Sequence, residues 1–241
     1  MVYYTKKRTT LEIIAHVQSP FSEKFGIPRQ PSLVSAGEFA IEFEAEFSDP
    51  AFVKDIEQHS HLWLLFLFHE NLDKGYKASV RPPRLGGNKK TGVFATRSSF
   101  RPNGIGMSAV KLLSVDISGD KIRLIIESAD LLNGTPIVDI KPYIPYSDRI
   151  ESATSQMAQA APEQSLAISW STKSVNQVAQ LNSKYPDLSL LIEQVLAQDP
   201  RPAYKKNKSD DKIYAISLYD LDIKWRVDND VCLVISVEKI T

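Results

Sequence analysis

Short runs, some alternating apolar and polar residues with a period close to two and some wholly apolar, dominate the first part of the chain. The runs fall at residues 11–17, 39–47, 62–68, 92–96, 107–115, 121–128 and 135–140. Each has the length of a strand, and turn residues rather than long amphipathic helices separate them. The pattern predicts a mainly β fold built on an antiparallel barrel. One short helix is expected over residues 50–59, with Asp49 as N-cap before Pro50 at the first helical position.

From about residue 148 the chain turns small and polar, as a connection between domains does. Beyond it the periodicity changes. Residues 175–184 and 188–198 carry apolar side chains at helical spacing, divided by Tyr185-Pro186-Asp187, with Asp187 placed to cap the second helix. Residues 212–219, 222–227 and 231–237 return to strand patterning, the last two runs joined by the hairpin turn Asp228-Asn229-Asp230. The expected organisation is a barrel domain over residues 1–147, a linker over 148–165 and a smaller α+β C-terminal domain over 166–241, with no internal repeat.

Composition narrows the class. Hydrophobic residues are 43% of the 241, enough for packed cores, so disorder is not expected. No apolar run approaches the roughly 20 residues that span a bilayer, and the first ten residues are polar and basic with no apolar segment behind them. A cytoplasmic protein without membrane association is expected. The single cysteine, Cys232, lies in an alternating apolar run and reads as a buried strand residue.

Basic and acidic residues balance, 29 against 29, so total charge does not announce a nucleic-acid partner. Their distribution says more. Between Lys74 and Val115 stand Lys74, Lys77, Arg81, Arg84, Lys89, Lys90, Arg97, Arg101 and Lys111, with no Asp or Glu among them. Such a window makes a local positive surface unless the fold scatters it.

Four segments have compositions that packing alone does not explain. In Phe25-Gly26-Ile27-Pro28-Arg29-Gln30-Pro31 two prolines stiffen a loop around an Arg and a Gln. The strand from His59 to Glu70 is apolar with polar groups at both ends. His59 and His61 share a face, but zinc needs three or four ligands and no further Cys/His cluster accompanies them, so no metal site is expected. His69 and Glu70 fall where strand gives way to loop, a place where binding residues collect. The third segment, from Val80 to Gly106, joins prolines, glycines and arginines, the last offering forked donors for carboxylates and phosphates. Its glycines lack the spacing and flanks of a dinucleotide fingerprint, which disfavours a Rossmann enzyme. The fourth, Asp130 to Tyr143, holds a tight Asn133-Gly134 turn with Asp130 and Asp139 on either side.

Together, Pro28-Arg29-Gln30, Ser60-His61-Leu62-Trp63, Arg81-Pro82-Pro83-Arg84-Leu85-Gly86-Gly87-Asn88, the run from Gly92 to Asn103, and Gly134-Thr135-Pro136 followed by Asp139-Ile140-Lys141-Pro142-Tyr143 resemble the TsaA-like family. The resemblance covers roughly residues 8–146. The segment from Leu196 to Tyr204 resembles the C-terminal domain of the family's bacterial members. The resemblance implies a β-barrel tRNA (adenine-37-N6)-methyltransferase that uses S-adenosylmethionine, usually as a homodimer. Its implied substrate is tRNA carrying threonylcarbamoyladenosine at position 37. Carried over by motif, the cofactor would meet Pro28, Arg29, Gln30, His69, Glu70, Arg97, Met107, Asp130, Leu131, Leu132 and Asn133. Three positions depart from the family's pattern. Gly104 stands where Asn-Pro-Ile-Gly is usual, Asn133 where an Asp commonly precedes Gly-Thr-Pro, and Glu70 where Gln is common.

Methyl transfer from a sulfonium is an in-line displacement, so positioning in a dry site is the main requirement. The acceptor nitrogen bears a carbonyl and gains from a general base, for which Asp139, Asp130 and His69 are the candidates in that order. Arg81, Arg84 and Arg101 are assigned to RNA phosphates or to the threonyl carboxylate, with ion pairs inside the fold as the structural alternative. Arg201, Tyr204 and Lys205, followed by Lys206 and Lys208, would extend the contact toward the anticodon stem. Two rival readings stand beside this one: a non-enzymatic RNA-binding module with a lapsed cofactor pocket, and a methyltransferase acting on a small molecule.

Overall fold

The computed structural model describes residues 10–28, 30–82, 89–156, 166–202, 205 and 210–240. In chain order, the first part holds β1 (Ala15–Gln18), β2 (Phe39–Phe43), β3 (His61–Leu67), α1 (His69–Leu72), β4 (Ser79–Val80), β5 (Thr91–Gly92), β6 (Ile105–Asp116), β7 (Arg123–Ile126), β8 (Pro136–Pro142) and α2 (Pro145–Asp148). Six of these strands pair antiparallel in the order β1-β2-β7-β6-β3-β8. Strand β8 then pairs back onto β1 through Ala15–Ile137 and His16–Pro136, so the sheet closes on itself.

Period-two alternation dictates what lies inside that closed sheet. Val17, Ile41, Leu62, Leu64, Val110, Leu124 and Ile137 point inward and are buried, each stabilising the fold by about 1.5–3 kcal/mol if fully removed from water. Their strand neighbours Gln18, Glu42, Trp63, Leu65 and Arg123 lie on the outer face. Two bulges interrupt the pairing, between Leu65 and Phe66 on β3 against β8 and between Leu112 and Ser114 on β6 against β7. The first leaves Val138 of β8 as the extra residue and so reverses which face the following residues of β8 present.

The second part holds β9 (Ala167–Trp170), α3 (Thr172–Leu181), α4 (Leu188–Leu196), β10 (Asp210–Leu218), β11 (Leu221–Asp228) and β12 (Val231–Lys239). Its sheet runs β10-β11-β12-β9, antiparallel except that β9 lies parallel to β12. Helix α3 begins at Ser171, whose hydroxyl accepts the Ser174 N–H. Trp225 is fully buried and stacks on Tyr214 at 4.9 Å.

Residues 19–38 bind both parts. Phe21 bridges Leu218, the Tyr219 N–H donates to Pro20 O at 2.6 Å, and the Ser217 N–H donates to Glu23 at 2.7 Å. Gln194 Oε1 accepts from the N–H groups of Ser35 and Ala36, and Tyr219 Oη accepts from the Glu38 N–H. Gly37 adopts φ +105, which strains any side chain, and a Cβ there would stand 3.3 Å from that hydroxyl.

Several sequence expectations change. Strand β1 begins at Ala15 rather than residue 11. Residues 92–96 form no strand beyond the Thr91–Gly92 pairing. Val93–Ala95 is a 3-10 turn, because the Thr96 hydroxyl and N–H both bond back to Val93 O. Residues 50–59 are two 3-10 turns, Pro50–Val53 and Ile56–Gln58, broken at Asp55 with φ 65. That break presents both Val53 and Ile56 to the core. Asp49 does accept the Ala51 N–H at 2.8 Å. Asp187 occupies the N-cap of α4 at φ 57 and makes no side-chain cap bond. The second half of the expected linker, residues 157–165, lies outside the described residues. No helix among the described residues is long and apolar enough to cross a membrane.

Candidate active-site cleft

The cleft forms where β3 runs out. Phe66 and Phe68 pack edge to face with centroids 5.2 Å apart, and Gly106 stands opposite Phe66 on β6. A Cβ on Gly106 would collide with the Phe66 ring and lie 2.9 Å from that of Phe68. Only a glycine lets the two rings lie against β6. The chain then turns into α1, with the Phe68 N–H donating to Gly104 O at 2.8 Å.

Two adjoining cavities open beside these rings. The smaller, about 190 Å³, is bounded by Lys24, His69, Glu70, Asn71, Ser99 and Leu132. The larger, about 400 Å³, is bounded by Gln30, Thr96, Arg97, Arg101, Met107 and Ser108. Both share Phe66, Phe68, Asp130 and Leu131, so they form one continuous cleft. The two lobes reach the size range typical of small-molecule sites.

Asp130 lies at the junction. Ser108, buried on the inner face of β6, donates its hydroxyl to Asp130 Oδ1 at 2.8 Å. Burial pushes the Asp130 carboxyl up, outweighing the Ser108 hydrogen bond and the Arg97 charge that favour its ionised form. Glu70 behaves oppositely. The hydrogen bond from Lys24, 3.0 Å away, holds its carboxyl below the usual range.

The turn after Asp130 is braced from outside. Ser19 Oγ donates to Leu131 O at 2.8 Å, the Asn133 N–H donates to Phe21 O, and Thr135 Oγ1 donates to Leu132 O at 2.7 Å. Asn133 Oδ1 accepts from the Ser19 N–H at 3.1 Å and borders a different cavity, so its side chain serves the turn and not the cleft.

The structure thus brings together Gln30, His69, Glu70, Arg97, Met107, Asp130, Leu131 and Leu132. Pro28 is buried but does not bound the cleft. Arg29 lies outside the described residues. Asp139 does not join them. The bulge places it on the outer face opposite Leu65, where it pairs with Lys141 at 2.8 Å. Arg81 is exposed beside β4, and Arg101 bounds the larger lobe while its guanidinium donates to Thr96 O at 3.1 Å. Arg84 and Tyr204 lie outside the described residues, and Lys205 is half-buried.

Arg201 requires a correction. It is 2% exposed and grips Asp199 through two bonds, Nε to Oδ1 at 2.7 Å and Nη2 to Oδ2 at 2.9 Å. A guanidinium so enclosed cannot meet RNA. Asp199, at φ 48, folds the chain back so that the two side chains meet. The sequence also missed Ser108, Lys24 and Asn71. Strand parity from Met107 marks Ser108 as inward; nothing local marks Lys24. Among the described residues no group of three potential metal ligands stands together.

Residues 16–149 match the model of the tRNA-methyltransferase O N-terminal domain, and residues 163–240 match that of the TrmO C-terminal domain. The chain belongs to the TrmO family. A curated relative, the tRNA (adenine(37)-N6)-methyltransferase of Escherichia coli strain K12, is 46% identical over 216 residues, covering 90% of this chain and 92% of that one. The putative S-adenosylmethionine-dependent methyltransferase RcsF of Pseudomonas aeruginosa PAO1 is 45% identical over 213 residues, covering 88% and 90%. A crystal structure of TrmO from Pseudomonas aeruginosa superposes with a TM-score of 0.78 at 37% identity, over 95% of this chain and 98% of that one. The motif resemblance and the TrmO matches therefore lead to one family. In this TrmO-family chain the matched N-terminal region contains the entire cleft.

Proposed function

We propose that this chain is an S-adenosylmethionine-dependent tRNA methyltransferase acting on N6 of adenine 37, with threonylcarbamoyladenosine as the acceptor nucleoside. It works as a cytoplasmic homodimer, with residues 1–147 as the catalytic unit around the closed sheet, 148–165 as a connection and 166–241 as a tRNA contact. The observation that carries the reading is the convergence, in one cleft, of Gln30, His69, Glu70, Arg97, Met107 and the Asp130–Leu132 turn.

The residues present fit such a cofactor. Phe66, Phe68, Leu131 and Met107 offer apolar surface, while the Lys24–Glu70 pair and Asp130 offer charges for polar groups. When bound, the cofactor supplies an electrophilic methyl group on a sulfonium. Asp130 is the base: its raised carboxyl, oriented through Oδ1 by Ser108, accepts the N6 proton as the nitrogen gains the methyl group. Asp139, held by Lys141 on the outer face, is not assigned to the step. Phe66 and Phe68 keep water from the junction of the two lobes. Arg97, which meets no acid at salt-bridge distance among the described residues, and Arg101 and Arg81 face the RNA with Lys205. Arg84 and Tyr204 remain in that role from sequence alone.

The test is transfer of labelled methyl from S-adenosylmethionine to tRNA carrying threonylcarbamoyladenosine, with unmodified tRNA alongside and nucleoside analysis of the product. Label recovered as the N6-methylated nucleoside only from modified tRNA is expected. Tight tRNA binding without label would instead make the protein a binding module.

A further inference from the structure

The Lys24 ammonium stands in the wall of the smaller lobe, 3.0 Å from Glu70 Oε2 and 3.0 Å from Asn71 Oδ1. Asn71 Nδ2 donates in turn to Ser99 Oγ at 2.5 Å. Three segments far apart in sequence therefore fix one cation at the edge of the cleft: the stretch before Phe25, helix α1, and the loop after β5. An ammonium carries three N–H donors, and Glu70 and Asn71 occupy two of them.

Stability does not account for this arrangement. The Lys24 and Glu70 side chains are 44% and 48% exposed, and ion pairs so accessible to water contribute little to folding. Both partners also border the cavity rather than bulk surface alone. The pair offers a fixed positive and a fixed negative charge side by side, at the end of the cleft away from Arg97 and Met107, with Asp130 between.

We propose that Lys24 binds the α-carboxylate of the cofactor's amino-acid end, while Glu70 takes the adjacent α-ammonium. The proposal rests on the cleft being the S-adenosylmethionine site, as argued above. A zwitterion and an ion pair of opposite sense exchange partners without leaving an uncompensated charge, and each new contact is a charge-assisted hydrogen bond. Lys24 then sets selectivity for a ligand that carries both charges. Asn71 is a positioning residue, since it holds the ammonium and is itself held by Ser99.

The experiment is titration calorimetry of the full chain with two probes, S-adenosylmethionine and decarboxylated S-adenosylmethionine, which keeps the amine and lacks the carboxylate. The unsubstituted protein is expected to prefer the first by about 10-fold or more, the scale of one charge-assisted contact. Lys24→Met and Lys24→Gln are expected to weaken S-adenosylmethionine by a similar factor, about 10-fold, and to leave the decarboxylated probe within about 2-fold. Lys24→Arg is expected to keep most of the preference. Equal weakening of both probes would mean that Lys24 only holds α1, and would overturn the proposal. So would a variant that binds S-adenosylmethionine normally but loses affinity for tRNA bearing threonylcarbamoyladenosine, which would place the acceptor's carboxylate at Lys24 instead. An unsubstituted protein that binds the two probes equally refutes the Lys24 assignment alone, whereas one that binds neither refutes the cofactor reading with it.

Discussion

Ser108 Oγ on β6 donates to Asp130 Oδ1 across 2.8 Å, tying the inner face of a strand to the turn that borders both lobes of the cleft. The bond partly offsets the cost of burying a carboxylate. Burial still wins, and the carboxyl is raised.

A stability measurement and a rate measurement on Asp130→Asn therefore move in opposite directions. A carboxyl raised in the folded state favours folding below its unfolded pKa and loses that contribution as pH rises through the folded value. At pH 7 the Asn variant is expected to resist urea better than the unsubstituted protein, with the gap closing as pH falls into the ordinary aspartate range. Methyl transfer is expected to fall by about 10²–10⁴-fold, the usual worth of a general base. The acid limb of the rate profile should also disappear, and an Asn variant with unchanged turnover would remove Asp130 from the chemistry.

Gly106→Ala puts a methyl group into the Phe66 and Phe68 rings. Overpacking of this kind costs about 1–3 kcal/mol. Because those rings also form the cleft wall, a lower denaturation midpoint is expected together with weaker S-adenosylmethionine binding. Intact affinity at the lower midpoint would show that the rings do not shape the cofactor surface.

Arg201→Ala leaves Asp199 buried without its partner, for which a loss of about 3–5 kcal/mol is expected. Replacing both residues, as Arg201→Met with Asp199→Leu, should recover much of that loss, as read from chemical denaturation. If Arg201→Ala instead folds normally and weakens only tRNA binding, the buried pair is not what holds this segment.

Cys232 is enclosed in the second sheet, and burial, helped by the Asp199 charge, pushes its thiol up to about 12. Alkylation by iodoacetamide at neutral pH is expected to be negligible for the native protein and complete in denaturant, as followed by intact mass.

Strand parity carried most of the fold into the sequence. The alternation of Lys121, Ile122, Arg123 and Leu124 places Ile122 and Leu124 inside as observed, because a closed antiparallel sheet separates its two faces cleanly. The expectations failed where a single residue within the run decided the backbone. Thr96 curls Val93–Ala95 into a turn, and Asp55 breaks a segment whose Asp49 cap and proline otherwise favour a helix. Strand β9 escaped notice because its four residues are too short to display a period, and because its partner, β12, lies far along the chain.

The site was legible through motifs, and less so through geometry. Motif identity located Gln30, His69, Arg97 and Asp130, whereas the bulge beside Leu65 decided that Asp139 faces outward. Arg201 sits in a basic stretch that reads as an RNA contact, yet Asp199 two residues earlier captures it. Lys24 and Ser108 acquire meaning only through Glu70 and Asp130, partners that no local pattern pairs with them.

The strap from Ser19 to Glu38 makes the seam of the molecule differ from the seam of its sequence. Pro20 is held by Tyr219 on one side, while its neighbours Ser19 and Phe21 hold the Leu131–Asn133 turn on the other. A nick in the connection after β8 would leave two fragments still clasped across this strap. Removing the second sheet, by contrast, would unfasten the strap that braces the Leu131–Asn133 turn while every residue of the cleft stayed in the chain.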